Sequence, residues 1–179
     1  MKRILSLCKT LLVGTGICLL YVPATNSLVS AQAPRLLSAE TTYNQTSVRE
    51  ATYYFTLTVP AESASVPLQQ VTVTQIRGLE AIGFDERNST AFEGTRDRRG
   101  QKLGITLAKS DRQQRTATIT FDQPVAPGKT ITIGLKPLRN PNYEGVYLFQ
   151  VQTLPTGKQT DNYVIGTARL QFYGIATNE

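Results

Sequence analysis

Ala51-Thr52-Tyr53-Tyr54-Phe55-Thr56-Leu57-Thr58-Val59 is the stretch whose reading decides the fold. Ala51, Tyr53, Phe55, Leu57 and Val59 alternate with Thr52, Tyr54, Thr56 and Thr58. Alternation at period two, in residues that are β-branched or aromatic, describes a strand with one face in a core and the other towards water. Pro60 ends the run, because a residue without an N–H cannot continue the ladder.

Outward from this stretch the same period recurs. Val71 and Val73 alternate with Thr72 and Thr74, and Leu103, Ile105 and Leu107 form a third run. Ala117, Ile119 and Phe121 form a fourth, and Ile131, Ile133 and Leu135 another, reached through a loop with Pro124, Pro127 and Gly128. Val146 to Val151, apolar apart from Gln150, predicts a central strand covered on both faces. Tyr163 to Tyr173 closes the series with Ala168, Leu170 and Phe172 on one face. No window of helix length holds a 3.6-residue apolar stripe. Seven to eight short strands with turn signals between them predict an all-β fold, an antiparallel two-sheet sandwich with an immunoglobulin-like Greek key. Loops of unequal length argue against a closed meander. With no internal repeat or linker, residues 32–179 read as one β-sandwich domain with its core at about 40–174. Gln32 to Ser38 and the last few residues read as loose ends.

The first residues read as an export signal. Met1-Lys2-Arg3 is a positive start, and Leu11 to Val22 is an apolar run too short to cross a bilayer comfortably. Two cleavage sites fit small-residue recognition. Val29-Ser30-Ala31 leaves Gln32 as the new N-terminus, whereas Ala31-Gln32-Ala33 leaves Pro34 just beyond the cut, where its ring hinders a peptidase. The cut after Ala31 is preferred, giving a signal peptide at 1–31. The alternative is a retained N-terminal membrane anchor. Both cysteines, Cys8 and Cys18, lie within the signal, so disulfides and thiolate chemistry leave with it. Lys2, Arg3 and Lys9 leave too, which removes half of the formal +6 charge. The remaining bias is too mild to argue for nucleic acid.

The chemistry is bounded by what is missing. The chain has no histidine, which excludes a Ser-His-Asp triad and histidine-ligated zinc. No phosphate-binding glycine motif occurs. Asp85-Glu86 and the pair Glu93 and Asp97 are the nearest carboxylates for acid–base work; Asp85 to Asn88 reads equally as a solvated turn. Asp161-Asn162 and Asp85 to Asn88 carry calcium-type ligands without the spacing of a calcium loop. The most unusual stretch is Arg96-Asp97-Arg98-Arg99-Gly100-Gln101-Lys102. Arg96, Arg98, Arg99 and Lys102 suit anionic groups, with arginine giving forked contacts. They suit equally a charged strand edge that resists pairing with other molecules. A second cluster, Lys136 to Gly145, holds two prolines, two asparagines and a glycine between strongly apolar runs. Its Arg139 and Asn140 are candidates for binding, or for capping backbone groups. No cofactor and no metal is expected.

Several blocks carry a family resemblance: Ala51 to Leu57, Ala91-Phe92-Glu93-Gly94-Thr95, Ser110-Asp111-Arg112-Gln113, and Pro124-Val125 with Pro127-Gly128. Thr132-Ile133-Gly134-Leu135-Lys136-Pro137, Arg139-Asn140-Pro141 and Gly145 to Phe149 complete them. Over roughly residues 36–174 the chain resembles the cyanobacterial exported family of domain of unknown function 2808. The resemblance implies a cyanobacterial source, export and a β-rich fold. It implies no activity and no functional residue.

The expectation is a non-enzymatic module at the periplasm or cell surface, binding an envelope component (protein, glycan or lipid head group) or serving structurally. The alternative is a polysaccharide-binding or carboxylate-dependent carbohydrate-active protein. N-terminal sequencing of the protein recovered from its native envelope fraction is expected to begin at Gln32; a chain still starting at Met1 would point to the anchor instead.

Overall fold

The computed structural model describes residues 34–61, 66–111, 113, 115–157 and 163–174. The expected signal peptide with its two candidate cleavage sites, and Asp161-Asn162, lie outside them. Ten strands follow in chain order: β1 Arg35–Thr41, β2 Tyr53–Thr58, β3 Leu68–Arg77, β4 Thr90–Gly94 and β5 Arg99–Leu103. The rest are β6 Ile105–Asp111, β7 Thr116–Val125, β8 Thr130–Leu135, β9 Gly145–Pro155 and β10 Tyr163–Phe172. They form two five-stranded sheets, ordered β1-β2-β8-β4-β5 and β10-β9-β3-β7-β6. Every pairing between strands is antiparallel. The expected all-β sandwich is therefore the fold, with more strands than the seven to eight expected.

Alternation builds the core. Tyr53, Phe55 and Leu57 of β2 and Ile131, Ile133 and Leu135 of β8 are wholly buried from the first sheet. Phe149 and Val151 of β9, Val71 of β3 and Ile119 of β7 face them from the second. Burying each such side chain contributes about 1.5–3 kcal/mol relative to leaving it in water. Tyr53 joins the layers, with its ring centroid 5.9 Å from Phe84, 6.1 Å from Phe149 and 5.6 Å from Phe172. Edge-to-face and tilted pairs of this kind add to plain area burial.

Besides β4, which the alternation does not mark, three elements differ from the sequence expectation. Arg35 to Ser38, expected loose, belongs to β1, which pairs with β2 through a bulge between Leu36 and Ser38. Such a bulge breaks period two, so the alternation rule misses the strand. The run Leu103-Ile105-Leu107 is two strands in different sheets. The chain changes layer at Gly104, where an added Cβ would collide with the Asp122 carboxylate. Last, β9 is an internal strand, between β10 and β3, but covered on one face only. Tyr147, Phe149 and Val151 are buried while Val146 and Leu148 remain part-exposed.

One buried side-chain polar atom among the described residues has no hydrogen-bond partner: the Thr153 hydroxyl on the inner face of β9. Leaving a hydroxyl unpaired in an apolar interior costs free energy that valine, of nearly the same shape, does not incur. Thr153→Val is expected to raise stability by about 1 kcal/mol in urea unfolding, and a loss instead would place a partner on that oxygen.

Candidate functional site

The β4–β5 hairpin and the outer face of the first sheet hold the cations singled out by sequence. Gly94, at φ 88°, opens the turn; an added Cβ there would strike the Arg98 carbonyl oxygen. Arg98 N donates to Thr95 O at 3.1 Å and closes it. Across the hairpin Phe92 pairs with Lys102, but Gly94 pairs with Arg99. Two steps on β4 thus match three on β5, so β5 carries a β-bulge, opposite Glu93. Regular pleating sends residues an odd number apart to opposite faces. The bulge instead puts Arg99 and Lys102 on the same outer face as Phe92.

Aromatic rings support the guanidiniums there. Arg96 lies 5.2 Å and Arg99 5.6 Å from the centroid of Tyr54, and Arg99 also lies 5.0 Å from that of Phe92. Cation–π contacts at such distances are worth about 0.5–1 kcal/mol at exposed sites. Arg99 further donates to Tyr54 Oη and to the Arg96 carbonyl oxygen, both at 3.3 Å. Arg96 pairs with Glu40 at 3.2 Å, an exposed contact of small energy. Phe92 is only 6% exposed in consequence, though it sits on the outer face. Beneath, Thr56 and Thr132 share a hydrogen bond of 2.9 Å, and Thr132 Oγ1 donates to Gly94 O at 2.7 Å, tying the hairpin to the sheet. Arg98 and Lys102 are exposed, and no ion pair joins either to a described acid.

The second candidate cluster lies elsewhere. The pairing of Thr90 with Gly134 and of Glu93 with Ile131 places the hairpin turn at the end of the sandwich opposite the loop from 136 to 144. Arg139 there is half-exposed and 3.6 Å from Glu80. Asn140 is completely buried. Its Oδ1 accepts from Tyr53 Oη at 2.8 Å, and its Nδ2 donates to the carbonyls of Tyr43 at 3.0 Å and Gln45 at 2.7 Å. Asn140 thus satisfies backbone groups and faces no solvent, so of the two readings open to it the structure supports capping. Burial pushes the Tyr53 hydroxyl far above the usual tyrosine range, with Tyr147 and Glu80 adding to the effect.

The carboxylates are engaged locally. Asp85 accepts from Asn88 Nδ2 at 2.7 Å and from the amides of Arg87 at 2.9 Å and Asn88 at 3.3 Å, as a turn carboxylate does. Those hydrogen bonds hold its carboxyl below the usual range. Glu93 pairs with Lys129 at 3.0 Å. Among the described residues no group of three or more His, Cys, Asp and Glu is placed to hold a metal ion. No helix among them is long and apolar enough to cross a membrane.

An antiparallel two-sheet β-sandwich with a cation-bearing sheet face is thus the class of protein. The family described as "Protein of unknown function (DUF2808)" matches residues 26–172, and the chain belongs to it. No curated protein matches the sequence. Among solved structures the chain is similar to BslA, a bacterial hydrophobin, at 15% identity and TM-score 0.49, over 83% of this chain and 99% of that one. It is similar to the pilus 2b backbone protein of group B streptococcus at 11% identity and TM-score 0.48, over 76% and 56%. It is also similar to ACE19, the collagen binding subdomain of the Enterococcus faecalis surface protein ACE, at 7% identity and TM-score 0.41, over 79% and 97%. Similarity this loose says nothing of what the present chain binds.

Removing the Tyr53 hydroxyl leaves Asn140 Oδ1 without its donor. Tyr53→Phe is expected to cost about 1–2 kcal/mol, and Asn140→Ala, which orphans two carbonyls as well, about 3 kcal/mol. Because the folded-state value is raised, stability tied to Tyr53 is complete below the ordinary tyrosine pKa of about 10 and is lost as pH rises above it. Urea melts between pH 8 and 11 check this, and an alkaline loss as steep in Tyr53→Phe as in the parent would refute it.

Proposed function

We propose that the protein is an exported, non-enzymatic module that binds an anionic component of the cell envelope through the β4–β5 edge of the first sheet. The observation that carries the reading is the bulged hairpin. It gathers Arg99 and Lys102 with Arg96 on one face over Tyr54 and Phe92, and adds exposed Arg98 at the turn. Arginines pre-positioned on rings lose less freedom on meeting a carboxylate or phosphate than free side chains would. Glu40 and Glu93 beside this edge are held by Arg96 and Lys129, and Asp97 is exposed at the turn between Arg96 and Arg98; a set in which cations outnumber carboxylates suits recognition of an anion more than proton abstraction. The export half of the proposal rests on the leader in the sequence.

The same cations also guard the edge. β5 ends its sheet, and charge there discourages pairing with a second chain. The two roles are compatible, and binding separates them. Replacing Arg96, Arg98, Arg99 and Lys102 by glutamine is expected to weaken co-sedimentation with purified native envelopes about tenfold or more, at roughly 0.2–1 kcal/mol per exposed contact. Since Arg99 covers Phe92, the double variant Arg98→Gln with Lys102→Gln gives a milder control with an undisturbed ring stack. Unchanged co-sedimentation of both folded variants would overturn the reading and leave edge protection as the role of the cluster.

A further inference from the structure

The cations of the hairpin are one end of a longer arrangement. In β1 Arg35 pairs with Thr58, and Thr58 pairs with Thr130 of β8. Leu57, next to Thr58, is wholly buried, so Thr58 and the residues level with it are on the outer face. Glu93 pairs with Ile131, which brings Gly94 level with Thr130, and Gly94 pairs with Arg99. One row therefore crosses the whole sheet: Arg35, Thr58, Thr130, Gly94, Arg99. The next row runs Ser38, Thr56, Thr132, Phe92, Lys102. Four interstrand steps of about 4.8 Å set the backbones of the two edge strands, β1 and β5, about 19 Å apart.

Between those edge strands the face bears hydroxyls beside the Tyr54 and Phe92 rings. Ser38, Thr58 and Thr130 are part-exposed and Thr90 is exposed, while Thr56 and Thr132 are buried and satisfy each other. Among the described residues the acid on this face is Glu40, and it is held by Arg96. The face offers no wedge for a bilayer. Of the large apolar side chains exposed by 40% or more, only Leu37 belongs to a strand of this sheet. Interfacial binding instead needs apolar side chains that insert beneath the head groups. No ring is free to stack on a base, since both Tyr54 and Phe92 carry guanidiniums.

We infer that the outer face of the first sheet is a platform for an acidic polysaccharide that crosses the strands from β5 to β1. Its anionic groups meet Lys102 at the β5 edge, Arg99 and Arg96 where their guanidiniums lie over Tyr54 of β2, and Arg35 on β1, and its hydroxyls meet the serine and threonine hydroxyls between. This rests on the anion-binding reading above and adds the ligand class and its direction. Arg35 is the deciding residue, because it is remote from the hairpin and exposed.

The test is titration of the full mature chain with polygalacturonate, neutral dextran, and vesicles of phosphatidylglycerol with phosphatidylcholine. Polygalacturonate is expected to bind with an affinity that falls as salt rises, and dextran is not. Arg35→Gln is expected to weaken polygalacturonate about two- to fivefold, the scale of one exposed charge contact, with the unfolding midpoint unchanged. Polygalacturonate binding that Arg35→Gln leaves intact overturns the platform while the hairpin reading stands. Binding to the anionic vesicles and not to polygalacturonate overturns the polysaccharide and again spares that reading. No binding to either, with envelope co-sedimentation indifferent to the hairpin variants, overturns both.

Discussion

The aromatic junction at Tyr53 is the contact on which the rest of the structure depends. Its ring reaches from the first sheet to Phe149 and Phe172 of the second and to Phe84 of the loop after β3. Its hydroxyl meets Asn140, which holds the carbonyls of Tyr43 and Gln45. One side chain therefore fixes the distance between the layers and the position of three loops at one end. A buried tyrosine does this only when its hydroxyl has a partner, since an unpaired one costs more than the ring's burial adds beyond phenylalanine. The asparagine supplies that partner and satisfies backbone that turns cannot pair for themselves.

With that end fixed, the opposite end is where the fold has freedom for surface chemistry. Loop residues near Asn140 are committed to holding the sandwich closed, and Arg139 is drawn to Glu80. The hairpin at the far end has fewer structural duties. Its backbone is tied by Thr132 to Gly94 O, and its charged side chains rest on the sheet. Rigid backbone under adaptable charged side chains is a common arrangement for binding surfaces.

Much of the fold was legible in the sequence because half-buried strands alternate. The runs at 51–59, 71–74, 117–121, 131–135 and 163–173 each correspond to a strand. β1 was missed because its bulge interrupts the period, and β4 because five residues are too few to show one. β5 and β6 were read as one strand because alternation continues through Gly104 while the chain changes sheets. Of the candidate site, the cationic stretch was legible but its geometry was not. The sequence could not show that Arg99 and Lys102 share a face, or that Arg35 completes the row, since both depend on pairing with distant strands.

Composition and period by themselves determined an all-β chain without histidine and without cysteine after Cys18, because those properties are local or simply counted. Residue type also marked Asn140 as special, without saying whether it faces ligand or core. Only the tertiary structure decided that question, and it did so by burying the side chain beneath Tyr53. It also decided which cations act together. The strand that seemed plainest, Ala51 to Val59, shows the division well. Its inner residues could be named from the alternation, but the rings and guanidiniums that meet Tyr53 and Tyr54 come from residues about 30 to 120 positions away. Register and bulges bring them together, and a one-residue change of register exchanges the two faces of a strand.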